Sequence, residues 1–505
     1  MQRTVVSCIL MFFFIGHAVR AGEPQGKLIL DLWEAAYLKG GKAGHVHTTV
    51  REVARGADRI LRCGMELRLT VKRFSDTIQL QMDNGDEETS AGMVTGVFMR
   101  QYLGKDKQLL LTGTVKEKQL FVTADESKAL PPTAWNDAVI GLYRQHRIFQ
   151  ERQVKPGDRF AYASFELTLN RVIRTQVEVK DYEEVELLDG SRKRLLRAEV
   201  RPEKLRDGQN NPIALPTQTL WLDETKLPVR KQVEVPGLGT MDLFRGTRDS
   251  VQQAAPLATL TDIGISQMLP LNRRIPNPYD TESALYRVTF KGDGDPATTF
   301  STGGRQEIKN IAGKTVDLYV RASRGPVPMA DKKIGAEFTQ SSYFINSDDA
   351  EVKAHARRAV RTETDPWQKA LRIEKWVHDH MHSTNDEALA TADHVARTLQ
   401  GDCTEYAMLT AAMCRAEGVP SRTAIGLIYA DAAEGPAMAF HMWTEVWVQG
   451  QWLPMDATLG RGYVGATHVK ITDHSWHDTR TMMPLLPVVR VLGKVYIQVL
   501  KVNGS

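Results

Sequence analysis

Alternation restricts this chain more than any other feature. From about Leu28 to Asp249 apolar and polar residues exchange places with period two, as in DRFAYASFELTLNRVIRTQVEVKDYEEVELL, TIQLQMD and PVRKQVEV. That period places successive side chains on opposite faces of a strand. The runs break at DNGDEE, KPGD, LDGS, DGQNNP and VPGLG, where Gly, Pro, Asn and Asp supply turns. The pattern predicts a half-exposed, antiparallel β-rich domain over residues 22–249. WLDETKLPVRKQVEV reads as one of its hairpins. His45 and His47 share a strand face, but two histidines with no Cys or carboxylate ligand beside them do not make a metal site.

At 505 residues the chain has room for about three domains. Its 42% apolar and 25% charged residues are those of an ordinary globular protein. The formal charge of +4 is too small, and too interspersed, to favour nucleic acid or an anionic membrane surface. The start differs from the rest. Arg3 precedes the apolar run CILMFFFIG, and Val19-Arg20-Ala21 follows with small residues at the two positions a signal peptidase reads. This predicts a signal peptide over residues 1–21 and a secreted or periplasmic protein. The run is too short for a stable membrane-spanning helix, and Cys8 lies inside it without the setting of a lipid anchor. Removal takes Arg3 and Arg20 and no acid, so the charge falls from +4 to +2. Cys63, Cys403 and Cys414 then remain, an odd number that leaves at least one thiol outside any intramolecular disulfide.

Residues 250–282, rich in proline and without period, read as a linker. A short β segment follows over 283–346, with ALYRVTF and VDLYVRAS as strands. KGDGDPATTFSTGG between them lacks the Gly-Lys-Ser/Thr of a phosphate loop. Near Ser347 the period changes to 3.6, which predicts an α+β domain over 347–490. SDDAEVKAHARRAV carries acids in its first turn and bases in its last, as the helix dipole favours. In DPWQKALRIEKWVHDHM, Asp365 is the expected N-cap and Pro366 the first helical residue. Ala370, Ile373, Trp376, Val377 and His380 are its expected inner face. His378 and His382 are spaced like a zinc pair, but neither HExxH nor a Cys or Glu ligand accompanies them, so no metal is expected.

The chemistry gathers in two stretches. In GDCTEYAMLTAAMCRAEGVP, a helix is expected to begin near Cys403 and to end at Gly418 and Pro420. Unpaired N–H groups at a helix start favour a thiolate and can hold an oxyanion. Gly401 permits a close approach there by a backbone or a substrate. Cys414, near the far end, is expected in the core. FHMWTEVWVQGQWLPMDATLG reads as a hairpin turning at Gln449-Gly450. Its register puts Val448 opposite Gln451, Trp443 opposite Asp456 and His441 opposite Thr458. Asp456 then shares the face of His441 at a diagonal, while Met442 and Thr444 point the other way. Cys403, His441 and Asp456 are the candidate catalytic residues: a nucleophile, its base and the carboxylate that orients the base.

These two stretches resemble the transglutaminase-like superfamily, related to papain-type thiol enzymes. The shared features are Gly-x-Cys at a helix start, Gly418-Val-Pro-Ser-Arg422, His-x-Trp-x-Glu from His441, and Asp-x-Thr from Asp456. The resemblance covers about residues 350–465 and implies a papain-like catalytic domain. It implies Cys403 as nucleophile, His441 as base and Asp456 as orienting carboxylate, with Trp443 and Glu445 as supports. Met442 is larger than the family's usual residue and is expected to narrow the site, and Ala457 replaces a common proline. The expected activity is thiol-dependent acyl transfer on protein or peptide amides through a thioester. A protease or amidase uses water as acceptor, a transglutaminase an amine. No cofactor is expected; the partners are amide substrates, cell-envelope material among them. The alternative is a non-catalytic envelope binding or scaffolding protein with a disused domain.

Overall fold

The computed structural model describes residues 26–504 apart from 57, 74–75, 103–107, 125–127, 130–131, 168, 207–211, 214, 236–238, 254–259, 263–267, 292–294, 328, 330–332, 385–388, 478 and 480–482. The expected signal peptide lies outside the described residues.

The alternating region forms a 15-stranded antiparallel sheet. Its first strand, Lys27–Leu38, lies in the middle, between Gly41–Arg55 and Gly239–Gly246. The expected hairpin is present as Thr217–Leu222 against Pro228–Val235. Beyond the strand Gln119–Ala124, residues Thr133–Ala134 pair back onto it. Ile140 N then donates to Ala163 O at 2.9 Å, on the strand Arg159–Glu166 at the sheet's opposite edge. That stretch links the two edges, which would otherwise offer unpaired backbone groups.

The helix Leu142–Glu151 follows and buries Ile148 and Phe149 against Val177, Val179 and Leu196. Its N-cap, Gly141, has no side chain to close the first turn. Strand carboxylates do so instead: Asp86 Oδ2 accepts from Leu142 N at 2.6 Å, and Glu88 accepts from Tyr143 and Arg144 N–H. A Cβ on Gly141 would come within 2.1 Å of Glu88 Oε1. Burial lifts the Asp86 carboxyl to about 8, with Glu88 adding repulsion, and burial lifts Glu88 to about 7.

In the C-terminal half four helices, Ala350–Val360, Pro366–His380, Ala392–Thr398 and Cys403–Ala416, share one core with two sheets. Asp365 caps the second as expected, accepting from Gln368 N at 2.8 Å with Pro366 in its first turn. That helix buries Glu374, whereas His380 is exposed and Trp376 only half-buried, so its inner face is rotated from the expected one. The site sheet orders Leu269–Pro270, Gly435–Val448, Ser421–Ala432 and His468–His474, with Gln451–Met455 also paired to Gly435–Val448. The helix Cys403–Ala416 lies on the face carrying Met442, Thr444 and Val446; Thr444 Oγ1 donates to Ala407 O at 3.1 Å.

The second sheet orders Gln306–Ala312, Thr315–Arg321, Ser283–Phe290 and Val495–Asn503. The chain's last strand thus completes the β segment that begins at residue 283. Among the described residues no helix is long and apolar enough to cross a membrane.

Candidate active site

The Cys403 helix opens on a capping box. Asp402 Oδ1 accepts from Thr404 N at 2.7 Å, and Glu405 Oε2 accepts from Asp402 N at 2.9 Å. Glu405 Oε1 also accepts from Ala390 N at 2.7 Å. Burial, with Asp402 beside it, holds the Glu405 carboxyl well above the usual carboxylate range. Gly401 has φ +149°, and a Cβ there would lie 2.3 Å from Glu405 Cβ. The close neighbour that requires glycine is therefore the capping side chain itself rather than a second backbone or a substrate. Cys403 is the first helical residue and is partly exposed. Cys414 is wholly buried, and burial pushes its thiol far up. Cys63 is buried in the N-terminal sheet, and none of the three thiols is in a disulfide.

The hairpin turns as predicted. Gln449 and Gly450 have φ +50° and +77°, and Val448 faces Gln451. The ladder stops at Thr444 opposite Met455. Asp456 then starts a turn: its Oδ1 accepts from Thr458 N at 3.0 Å and Thr458 Oγ1 at 2.6 Å. The expected pairs of Trp443 with Asp456 and His441 with Thr458 are absent, because Asp and Thr close an Asx turn in place of further rungs. Asp456 nonetheless meets His441, with Oδ2 2.8 Å from Nε2. The carboxylate occupies Nε2, which leaves Nδ1 for the thiol, and the His441 and Cys403 side chains are hydrogen-bonded. The structure thus brings all three candidate residues together.

Charge follows this geometry. Burial alone would lower the His441 pKa, but the Asp456 carboxylate and the Cys403 thiol outweigh it and lift the imidazole to about 10. Burial alone would raise Asp456, but His441 and His468 hold it well below the usual carboxylate range. An imidazolium at neutral pH between a thiol and a carboxylate is suited to stabilise a thiolate and to protonate a leaving amine.

Two further groups at this site carry no motif signal. His468 Nε2 lies 2.9 Å from the same Asp456 Oδ2. Glu374 Oε1 accepts from Asp456 N at 3.3 Å and Gly462 N at 3.2 Å; burial lifts its carboxyl to about 7. The helix period does place Glu374 beside Ile373 and Val377, and that was the available cue. Glu445 is buried between Arg422 Nη2 and Lys470 Nζ, each at 2.7 Å, so it ties three strands together behind the site. Met442 is wholly buried on the face opposite His441; it fills the core and does not narrow the site. Trp443 is also buried, with its ring 6.1 Å from that of His441.

Of the other histidines, His378 Nδ1 bonds Ala457 O at 2.9 Å and His380 Nδ1 bonds Trp376 O at 2.8 Å. His47 does have carboxylates near it, contributed by neighbouring strands, with Asp31 at 2.8 Å and Glu66 at 3.9 Å. Among the described residues one group of three ligand-type side chains lies within 4.8 Å: His441, Asp456 and His468. Their contacts of 2.8 and 2.9 Å have hydrogen-bond spacing. Ligands of a tetrahedral zinc stand roughly 3.3 Å apart, so these donors do not fit a metal.

Residues 353–457 match the transglutaminase-like superfamily. The C-terminal half thus contains a transglutaminase-like domain with Cys403, His441 and Asp456 inside the matched span. No curated protein matches the chain. Among solved structures, it is similar to a candidate cysteine protease from Cytophaga hutchinsonii, at 16% identity over 45% of this chain and 85% of that one, TM-score 0.29. It is also similar to a β-barrel-like protein of a domain of unknown function from Brucella abortus, at 10% identity over 43% and 95%, TM-score 0.30. A TGase matches at 15% identity over 30% and 43%, TM-score 0.19.

Proposed function

We propose that the protein is an exported thiol acyl-transfer enzyme acting on protein or peptide amides. The observation that carries this reading is the contact of a partly exposed thiol at a helix start with a buried imidazole, itself bonded to a buried carboxylate. Cys403 Sγ attacks the amide carbonyl, and its negative charge passes to the carbonyl oxygen. N–H groups of the first helical turn stabilise that oxyanion. His441 gives its proton to the leaving nitrogen, the C–N bond breaks, and a thioester remains on Cys403. His441, now neutral, takes a proton from water or an amine as that acceptor attacks the thioester, and the thiolate leaves. Asp456 holds the imidazole's orientation and its charge throughout.

The leader-like N-terminal sequence supports export. The test is a pair of assays, amide hydrolysis and incorporation of a primary amine into peptide glutamine, on the wild type and Cys403→Ala. Turnover in either assay that disappears in the variant is expected. Equal, slow iodoacetamide labelling of Cys403 and Cys414 with no turnover would favour the scaffolding alternative.

A further inference from the structure

We propose that His468 is a positioning residue that fixes the Asp456 carboxylate against His441. This rests on the thiol acyl-transfer reading and adds a fourth member that acts without touching substrate. Two imidazoles converge on one carboxylate oxygen, His441 Nε2 at 2.8 Å and His468 Nε2 at 2.9 Å. Thr458 holds the other oxygen, and Glu374 accepts from the Asp456 backbone. Without the His468 donor, Oδ2 keeps a single hydrogen bond, the one to His441, and the carboxylate is free to turn about its side-chain bonds away from that ring.

His468 is itself rigidly placed. It is wholly buried, so it cannot reach a substrate. Arg305, in the turn just before the strand Gln306–Ala312, donates to the backbone oxygens of His468 and of Gly465, the latter at 3.0 Å. The Trp443 ring stands edge-on to the imidazole, with centroids 5.3 Å apart at 85°. Nδ1 is buried without a partner, so the ring's polar bond is the one to Asp456. A carboxylate accepts only, which fixes the proton on Nε2. Burial, His441 and Arg305 outweigh the pull of Asp456 and lower the His468 pKa to about 4. The ring therefore stays a neutral donor while His441 beside it carries the charge, and the two rings do not repel.

The experiment compares Cys403 alkylation by iodoacetamide at pH 7 in the wild type, His468→Leu, His468→Gln and His468→Asn. Leucine keeps volume and removes the donor. Glutamine can present its amide nitrogen near the place of Nε2, and asparagine is too short. The expected result is a fall of about tenfold or more for Leu and Asn, the scale seen when a group that orients a functional imidazole or carboxylate is lost, with Gln within about threefold of wild type. If Leu does not fold, Gln against Asn decides. Rates within twofold for all variants, or equal losses in Gln and Asn, would overturn the positioning role. An unreactive Cys403 in the wild type would instead overturn the proposed function.

Discussion

At the scale of residues the site depends on two opposed placements. Cys403 and Cys414 share one helix, yet only the first has a helix start and an imidazole beside it. Iodoacetamide followed by peptide mapping is expected to mark Cys403 in the folded protein and to leave Cys414 unmodified until denaturant is added. Asp456→Asn removes the anion that offsets the burial of His441. The His441 pKa then falls from about 10 toward the low value burial favours, and the charged pair with Cys403 is lost. Turnover is expected to fall by about 10³–10⁴ at unchanged fold, read from kcat and circular dichroism. The linkage has a definite sign. A histidine raised on folding stabilises the native state fully below about 6.5 and ceases to do so as pH rises through about 10.

At the scale of elements, glycines and caps set where chemistry can stand. Gly401→Ala would drive a Cβ into Glu405 at φ +149°. It is expected to lower the urea midpoint and slow Cys403 alkylation together, because the capping box holds the thiol's turn. The carboxyls of Asp86 and Glu88, raised to about 8 and 7, bind protons more tightly folded than unfolded. Their share of stability is full below about pH 4 and is lost as pH rises through 7 to 8. Asp86→Asn should flatten that decline in thermal melts, since an amide oxygen still accepts from Leu142 N; an unchanged slope would contradict this.

These elements also mark what sequence can reveal. Period two and turn residues disclosed the N-terminal strands, and Asp365-Pro366 disclosed a helix start, because both are local signals. The hairpin register followed from Gln449-Gly450 and held as far as Met455. It failed at Asp456, where a side chain-to-backbone turn displaced the ladder. His468 and Glu374 reach the site through tertiary packing: the helix period marks Glu374 only as inward-facing, and nothing local to His468 reports its contact with Asp456. The reason for glycine at 401 is not legible in the sequence, because the neighbour it accommodates, Glu405, lies four residues ahead in the helix that follows.

At the scale of the whole molecule, the described backbone contacts change sides between Thr261 and Leu269. Lys72 N donates to Thr261 O at 3.0 Å, which ties that side to the large sheet, while Leu269–Pro270 pairs with the His441 strand. The C-terminal core draws on residues from Leu269 to Val499. A chain of residues 268–505 is therefore expected to fold alone and to alkylate Cys403 at the rate of the whole protein. Deleting 495–505 from it should abolish cooperative melting, because Ser283–Phe290 loses one of its two partner strands and the core loses Val495, Ile497 and Val499. The large sheet would then serve placement or recognition rather than the thiol's reactivity.

The central claim, that Cys403 is held as a thiolate by His441 and Asp456, is tested most directly by the pH dependence of Cys403 alkylation in the wild type and His441→Ala. The expected wild-type rate is already high near pH 6, well below the ~8.5 of an ordinary thiol, while the variant's rate rises only near 8.5. Coincident curves with a midpoint near 8.5 in both proteins would contradict it.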